Sequence, residues 1–375
     1  MRFQDVIGQE KVKRQLRAAV ASGKISHAYL FTGEEGYGTL PMALALATYL
    51  NCPQPVAEDA CGECSSCRKL KKLMHPDLHV LFPAYKQKSG DKAASPASAM
   101  MQHFRSALLA DPYMDYETWL NHLGAENKQL NISAEDCRSL LQRLTLRHFE
   151  GRFKIALIWH AGFLGKEGNI LLKLLEEPPV GTLWLLIART ADELLPTIVS
   201  RCQQVSVGPI AEEDLADALI ARFHLPIGRA QNIARISDGN WSEATRLAQQ
   251  HVAAFAPLLL EWLRLLQSTD LLPVWTWVEQ SGNLSREEQK AFLRYAVAFV
   301  RQSLLEHCGI YPNRKLDLEE SQLANQLLSR LEPRQLLELF IVLERSHYFI
   351  ERNVHARLVF WNLTLNTRSL IGARS

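Results

Sequence analysis

The chain has 375 residues, of which 47% are hydrophobic, and its 42 lysines and arginines against 40 acidic residues leave a formal net charge of +2. That length suits two or three domains with a sizeable core, and a charge so close to zero excludes a global field for nucleic acid, leaving only local basic patches. No apolar run approaches the ~18 residues of a membrane span and no secretory leader precedes Met1-Arg2-Phe3-Gln4-Asp5, so the expectation is a cytoplasmic, non-membrane protein whose seven cysteines serve as metal ligands or buried thiols rather than disulfides.

Gln9 to Ala21 reads as an amphipathic helix with Val12, Leu16 and Val20 on one face. His27 to Phe31 reads as a strand running into Thr32-Gly33-Glu34-Glu35-Gly36-Tyr37-Gly38-Thr39-Leu40-Pro41, and Met42 to Leu50 as the helix that follows. Strand, glycine loop and helix is the order of a phosphate-binding loop, in which backbone amides and a helix N-terminus hold an anion. Gly33, Gly36, Gly38 and Thr39 are its candidate cofactor-binding residues. A working loop ends in Gly-Lys-[Ser/Thr], with lysine for the terminal phosphates and the hydroxyl for magnesium. Here Thr39 stands where the lysine belongs and Leu40 where the hydroxyl belongs. A tight connection without hydrolysis is the better reading, while weak nucleotide binding by the backbone stays open.

Cys52, Cys61, Cys64 and Cys67 follow, the last three at two-residue gaps. Four thiolates at this spacing suit a structural, closed tetrahedral Zn(II) site, and redox chemistry is the rival that normally needs one pair. His75 and His79 are read as residues flanking a strand. Arg68-Lys69-Leu70-Lys71-Lys72 is a solvated helical face, with contact to a nucleic-acid backbone as the alternative.

Leu78 to Phe82 is a second strand, Ala84 to Ser98 a polar loop without hydrophobic period, and Met100 to Leu109 and Tyr116 to Leu123 are helices of a longer insertion. Ser133-Ala-Glu-Asp136 is a capping box opening a helix whose stripe is Cys137, Leu140, Leu141 and Leu144. Phe153 to Trp159 is a third strand. At its end an ATPase carries Asp-Glu, for magnesium and for water, where this chain has Trp159-His160. The stretch from Asn169 to Cys202 reads as a helix stopped by Pro178-Pro179, a buried strand over Leu183 to Ala188, and a helix ending near Ser200-Arg201-Cys202. Beyond Gly208-Pro209 three short helices form a lid, and leucine-rich helices after about Ala254 suit a bundle or oligomer collar.

Phe3-Gln4-Asp5-Val6-Ile7-Gly8-Gln9, His27-Ala28-Tyr29-Leu30-Phe31-Thr32-Gly33, the four-cysteine box, His75-Pro76-Asp77, Leu171 through Pro179 and Leu195 through Cys202 together resemble the delta-prime subunits of bacterial DNA polymerase III, a clamp-loader AAA+ family. The resemblance implies an α/β AAA+ domain with a P-loop-type parallel sheet over 1–208, carrying the zinc module at about 52–67 and an insertion at about 83–131 that does not match the family. It implies a three-helix lid over 209–252 and an all-helical collar over 253–375. It further implies that Arg201 acts in trans as an arginine finger on ATP held by a neighbouring gamma/tau-like ATPase, with delta-like subunits, the sliding clamp and primed DNA as partners and no ATP turnover by the chain itself. A planar guanidinium suits the charge that phosphoryl transfer spreads over equatorial oxygens. For Arg201 alone, a surface pairing with a local carboxylate is the competing reading. Arg189 falls at the first sensor position and Ser242 at the second. The alternatives are a gamma/tau-type ATPase, against which the missing loop lysine counts, and a zinc-containing nucleic-acid-binding protein outside any ring.

Overall fold

The computed structural model describes residues 1–56, 58–86, 95–125, 128–249, 255–266, 270–309 and 331–372. Most of the loop expected over 84–98 and nearly all of the helix expected over Leu316–Leu331 lie outside those residues. The chain divides into two units, Met1–Ala218 with Asp238–Glu243, and Leu219–Ser237 with Ala244–Ser375.

The first unit is built on a parallel sheet of five strands in the order β2-β3-β4-β1-β5. These are β1 (Ala28–Thr32), β2 (Leu78–Leu81), β3 (Lys154–Ile158), β4 (Thr182–Ala188) and β5 (Gln203–Ser206). Tyr29 pairs with Leu185 on one side and Gln203 on the other, and Ala156 pairs with Trp184, which fixes the register across the centre. β3 and β4 are buried at every residue, as strands covered on both faces must be, and their Ile, Leu and Ala runs supply few polar side chains that water would claim. One exception is Lys154 at the start of β3. Its ammonium donates to the Leu144 carbonyl at 2.8 Å, and burial lowers its pKa.

Helix α1 (Glu10–Ala21) packs Val12 and Leu16 inward, and α2 (Thr39–Leu50) is buried almost throughout against the sheet. α3 (Ser65–Lys71) starts at the cysteine box. The insertion contributes α4 (Pro96–Ala99), α5 (Met101–Ala110) and α6 (Tyr116–Leu123). An antiparallel bridge closes its neck, Ala84 and Asn131 exchanging hydrogen bonds of 2.9 and 3.0 Å. Phe104 stacks on Phe82 at 4.1 Å, Trp119 meets both edge-on, and the Trp119 indole N–H donates to the Pro83 carbonyl. The insertion therefore shares the sheet's core, and Phe104 also touches Trp159 at the end of β3. Ser133 and Asp136 form the expected capping box of α7 (Ala134–Thr145), and Asp136 in addition accepts from the Ala97 N–H, tying α7 to α4. Cys137 is fully buried, as expected of a core thiol.

Three local expectations are corrected, and one strand is added. The helix expected to end at Pro178 is a 3-10 stretch, Ala161–Leu171, kinked at Gly165, with only Leu172–Glu176 (α8) regular. The helix expected before Arg201 is a 3-10 turn, Ala191–Glu193, and a short α9, Pro196–Val199, because Pro196 forbids a continuous ladder. Thr39 begins α2, three residues earlier than expected, with Gly38 in the left-handed conformation that ends the loop. β5 has no counterpart in the sequence pattern. Only Val205 of its four residues is buried, so the edge strand carries almost no hydrophobic signal.

In the second unit the described helices Ile227–Ile236, Phe255–Leu265, Leu271–Asn283, Arg286–His307, Pro333–Glu351 and Ala356–Gly372 surround an aromatic centre. Trp262 stacks on Trp277 at 5.8 Å and donates its indole N–H to Thr364, while Phe292 and Phe360 close the cluster. Among the described residues no helix is long and apolar enough to cross a membrane.

Candidate functional site

The glycine loop leaves the C-terminal end of β1, an interior strand between β4 and β5, at the end of the sheet where ligands of open α/β sheets bind. Trp159-His160 at the end of β3 and Arg189 after β4 lie beside it, around a space also lined by Tyr113 and Met114. The loop has the backbone of a phosphate cradle, since Gly36 and Gly38 have φ of 81° and 99°, which side chains other than glycine rarely adopt. Its chemistry points the other way. Thr39 and Leu40 are buried, and among the described residues no lysine lines the space. Glu35 lines the same space, its carboxylate accepting from the Tyr116 N–H at 2.9 Å and approaching His160 Nε2 at 3.5 Å. Burial drives the His160 pKa down to about 4 against the opposing pull of Asp115, so the imidazole is neutral at physiological pH and adds no cation. Arg189 is tied to Glu193 at 3.1 Å and to Glu34 at 3.7 Å. Ser242 donates its hydroxyl to the Tyr113 carbonyl at 2.7 Å.

The four cysteines do converge. Their sulfurs all lie within 4.8 Å of one another, and none is in a disulfide. Cys61 and Cys67 Sγ are 3.9 Å apart, close to the edge of about 3.8 Å that a tetrahedron with metal–sulfur bonds of about 2.3 Å requires. The backbone N–H groups of Cys61, Cys64 and Cys67 donate to the sulfurs of Cys52, Cys61 and Cys64 at 3.3 to 3.4 Å. Those from Cys64 and Glu63 lower the Cys61 pKa to about 6, which favours a thiolate. Burial raises the thiols of Cys52 and Cys67 in the metal-free chain. The donor set fits a metal ion with four soft ligands. Asp59, inside the long gap, accepts from the N–H groups of Phe3 and Gln4 at 3.0 and 2.9 Å and fastens the module to the N-terminus. Such a role leaves no mark in the sequence beyond one acidic residue.

Asp77 stands out in the sequence only as the third residue of His75-Pro76-Asp77. It is buried at the start of β2 and accepts from the backbone N–H groups of Phe149, Glu150 and Gly151 at 2.6, 2.9 and 2.7 Å. Burial alone pushes its pKa up, but the three donors outweigh it and the net shift is downward. His75 is buried, accepts from the Asp77 N–H at 3.2 Å and is held below its usual pKa by desolvation, while His79 lies inside β2 rather than flanking it.

Arg201 follows α9. Its guanidinium donates to the Thr197 carbonyl at 2.6 Å and pairs with Glu176 at the end of α8. The local-carboxylate pairing is thus present within the single chain, and it brings together two of the stretches that carry the resemblance, Leu171–Pro179 and Leu195–Cys202. The side chain stays 32% exposed. Cys202 beside it is a thiol pushed up to about 12 by desolvation.

The profile of the family described as DNA polymerase III, delta subunit, matches residues 8–211. DNA polymerase III subunit tau of Salmonella typhimurium is 30% identical over 258 residues, covering 67% of this chain and 33% of that protein. Subunit delta' of Bacillus subtilis is 28% identical over 242 residues, covering 64% of this chain and 59% of its own, and subunit delta' of Escherichia coli is 24% identical over 335 residues, covering 86% and 82%. The chain spans only about a third of the tau relative's length. A five-stranded parallel sheet with a glycine loop after β1 and helices beyond it makes this an open α/β protein. Within that class the chain belongs to the DNA polymerase III delta-subunit family and is similar to its delta' members.

Proposed function

We propose that this chain is the non-hydrolysing member of a DNA polymerase III clamp loader, lending Arg201 to ATP bound by a neighbouring gamma/tau-like subunit while the sliding clamp is loaded on primed DNA. The observation that carries this reading is the loop. A lysine, a magnesium hydroxyl and both carboxylates at the end of β3 are replaced by Thr39, Leu40, Trp159 and His160, and Glu35 adds a negative charge. Phosphoryl transfer is positioning plus charge stabilisation, and none of these residues supplies either to a triphosphate. The same loss argues against the gamma/tau-type ATPase reading.

Arg201 suits donation in trans because little holds it at home. A partly exposed ion pair contributes about 0.2 to 1 kcal/mol, whereas an arginine finger is worth a factor of about 10³ to 10⁵ in turnover. Leaving Glu176 therefore costs little, and the return is realised in the transition state, where the guanidinium meets the charge on the transferring phosphoryl group. Cys52, Cys61, Cys64 and Cys67 hold a structural zinc in this reading. Four thiolates close the coordination sphere, so the metal braces the module and takes no part in catalysis. The lid over 209–252, the collar over 253–375, delta-like partners and a cytoplasmic setting belong to the same proposal.

The test is reconstitution. The chain alone shows no magnesium-dependent ATPase above background, and Arg201→Ala leaves folding and assembly with gamma/tau-like and delta-like subunits intact while lowering DNA-stimulated turnover of the complex. Robust turnover by the chain alone, or unchanged turnover of the Arg201→Ala complex, defeats the reading.

A further inference from the structure

The insertion reaches the glycine loop, and no part of the proposed function uses it. Tyr113, between α5 and α6, is 5% exposed. Its ring lies over Gly38, where a Cβ would come within 3.1 Å of the ring edge. Its hydroxyl accepts the Ile7 backbone N–H at 2.7 Å, and its carbonyl accepts the Ser242 hydroxyl. Trp241 stands 6.0 Å away, ring to ring. The phenol is thus held by the chain's N-terminal segment, the loop and the 240–242 turn, three separate parts of one unit.

Several of the loop's own groups are also engaged by protein. The Gly33 N–H donates to the Arg189 carbonyl. A Cβ at Gly33 would meet the Val207 carbonyl at 2.3 Å, and one at Gly36 the Asn240 amide at 2.0 Å. Asn240 donates to the Glu35 carbonyl at 2.8 Å, and the Trp241 N–H to the Gly36 carbonyl at 3.0 Å. Glu35 in turn accepts from Tyr116 N–H at the start of α6. The usual polarity is reversed, with the loop offering the anion and the insertion offering the helix N-terminus. What is left is a cavity of about 20 Å³, room for about one water. The glycines of this loop leave room for protein, where in a nucleotide site they leave room for phosphate.

We infer that the insertion is a built-in plug, with the Tyr113 phenol occupying the nucleotide pocket so that this chain neither hydrolyses nor binds a nucleoside triphosphate. The inference rests on Gly33–Thr39 being a disabled nucleotide loop, as proposed above, and is independent of Arg201. It gives the insertion a role, since a subunit whose pocket is permanently filled keeps one shape through every ATP cycle of its neighbours.

Titration of the full chain with magnesium ATP, read by calorimetry and thermal shift, tests this directly. A Kd of about 10 µM would raise the melting temperature by roughly 5–10 °C at about 1 mM ATP. The expected result is no heat and no shift. Tyr113→Gly is expected to melt on the order of 10 °C lower, with millimolar p-cresol restoring most of that loss in the variant and none in the parent. Tyr113→Phe keeps the ring, and it should fold and stay refractory to ATP. ATP binding by the parent chain overturns the plug, as does a folded Tyr113→Gly that p-cresol does not stabilise. Binding without turnover would sink the plug and leave the non-hydrolysing subunit standing, whereas turnover would sink both.

Discussion

Replacing Asp77 by alanine removes one carboxylate and strands three backbone donors, so its cost can be worked from the contacts. Each hydrogen bond to a charged acceptor contributes about 1.5–3 kcal/mol, and a buried donor left without a partner costs about 1–3 kcal/mol. Phe149 and Glu150 are exposed, so water can recover their N–H groups in part, but Gly151 is buried against Asn51 and His75 and cannot be rehydrated. We therefore expect a loss of about 3–5 kcal/mol for Asp77→Ala and a smaller one for Asp77→Asn, which keeps an acceptor but not the charge. The pKa is lowered in the folded state, so the charge-dependent part is fully present above the unfolded value of about 3.9 and disappears as pH falls through the folded pKa. The stability gap between parent and Asp77→Asn should be constant near neutrality and narrow below about pH 4. Native-state hydrogen exchange on peptides of β2 and β3 isolates the first unit and reads this gap directly. A loss under about 1 kcal/mol for Asp77→Ala, or a gap that ignores pH, would refute the idea that this carboxylate pins the 149–151 turn to the sheet.

Cys61→Ser combined with Cys64→Ser should abolish bound zinc by metal analysis and destabilise the module, and unaltered metal content would defeat the assignment. Glu176→Gln frees Arg201 from its resting partner. Stability should change by no more than about 1 kcal/mol, and DNA-stimulated turnover of the reconstituted complex should be kept or raised. If Glu176→Gln lowers turnover as far as Arg201→Ala does, the pair is a fixed strut and the guanidinium is not exported.

The places where sequence pattern and structure part share a physical cause. β1, β3 and β4 are legible because strands buried on both faces must be apolar almost throughout, and α7 because Ser133 and Asp136 satisfy its first turn locally. β5 escapes because an edge strand needs only Val205 inside. The helix boundaries around Leu171 and Pro196 are misplaced because leucine spacing is blind to whether the hydrogen bonds run to the fourth or third residue back.

Sequence alone determined what the loop lacks. A missing lysine or carboxylate is visible as a letter, and no folding can restore a functional group that is absent. It also placed Cys52, Cys61, Cys64 and Cys67 together, because metal-ligand spacing is a local property. Only the tertiary structure decided what fills the loop and what holds Arg201. Tyr113 reaches Ile7 across 106 positions and Arg201 reaches Glu176 across 25. Such contacts are set by how the sheet brings distant segments side by side, and neither residue carries any mark of its partner.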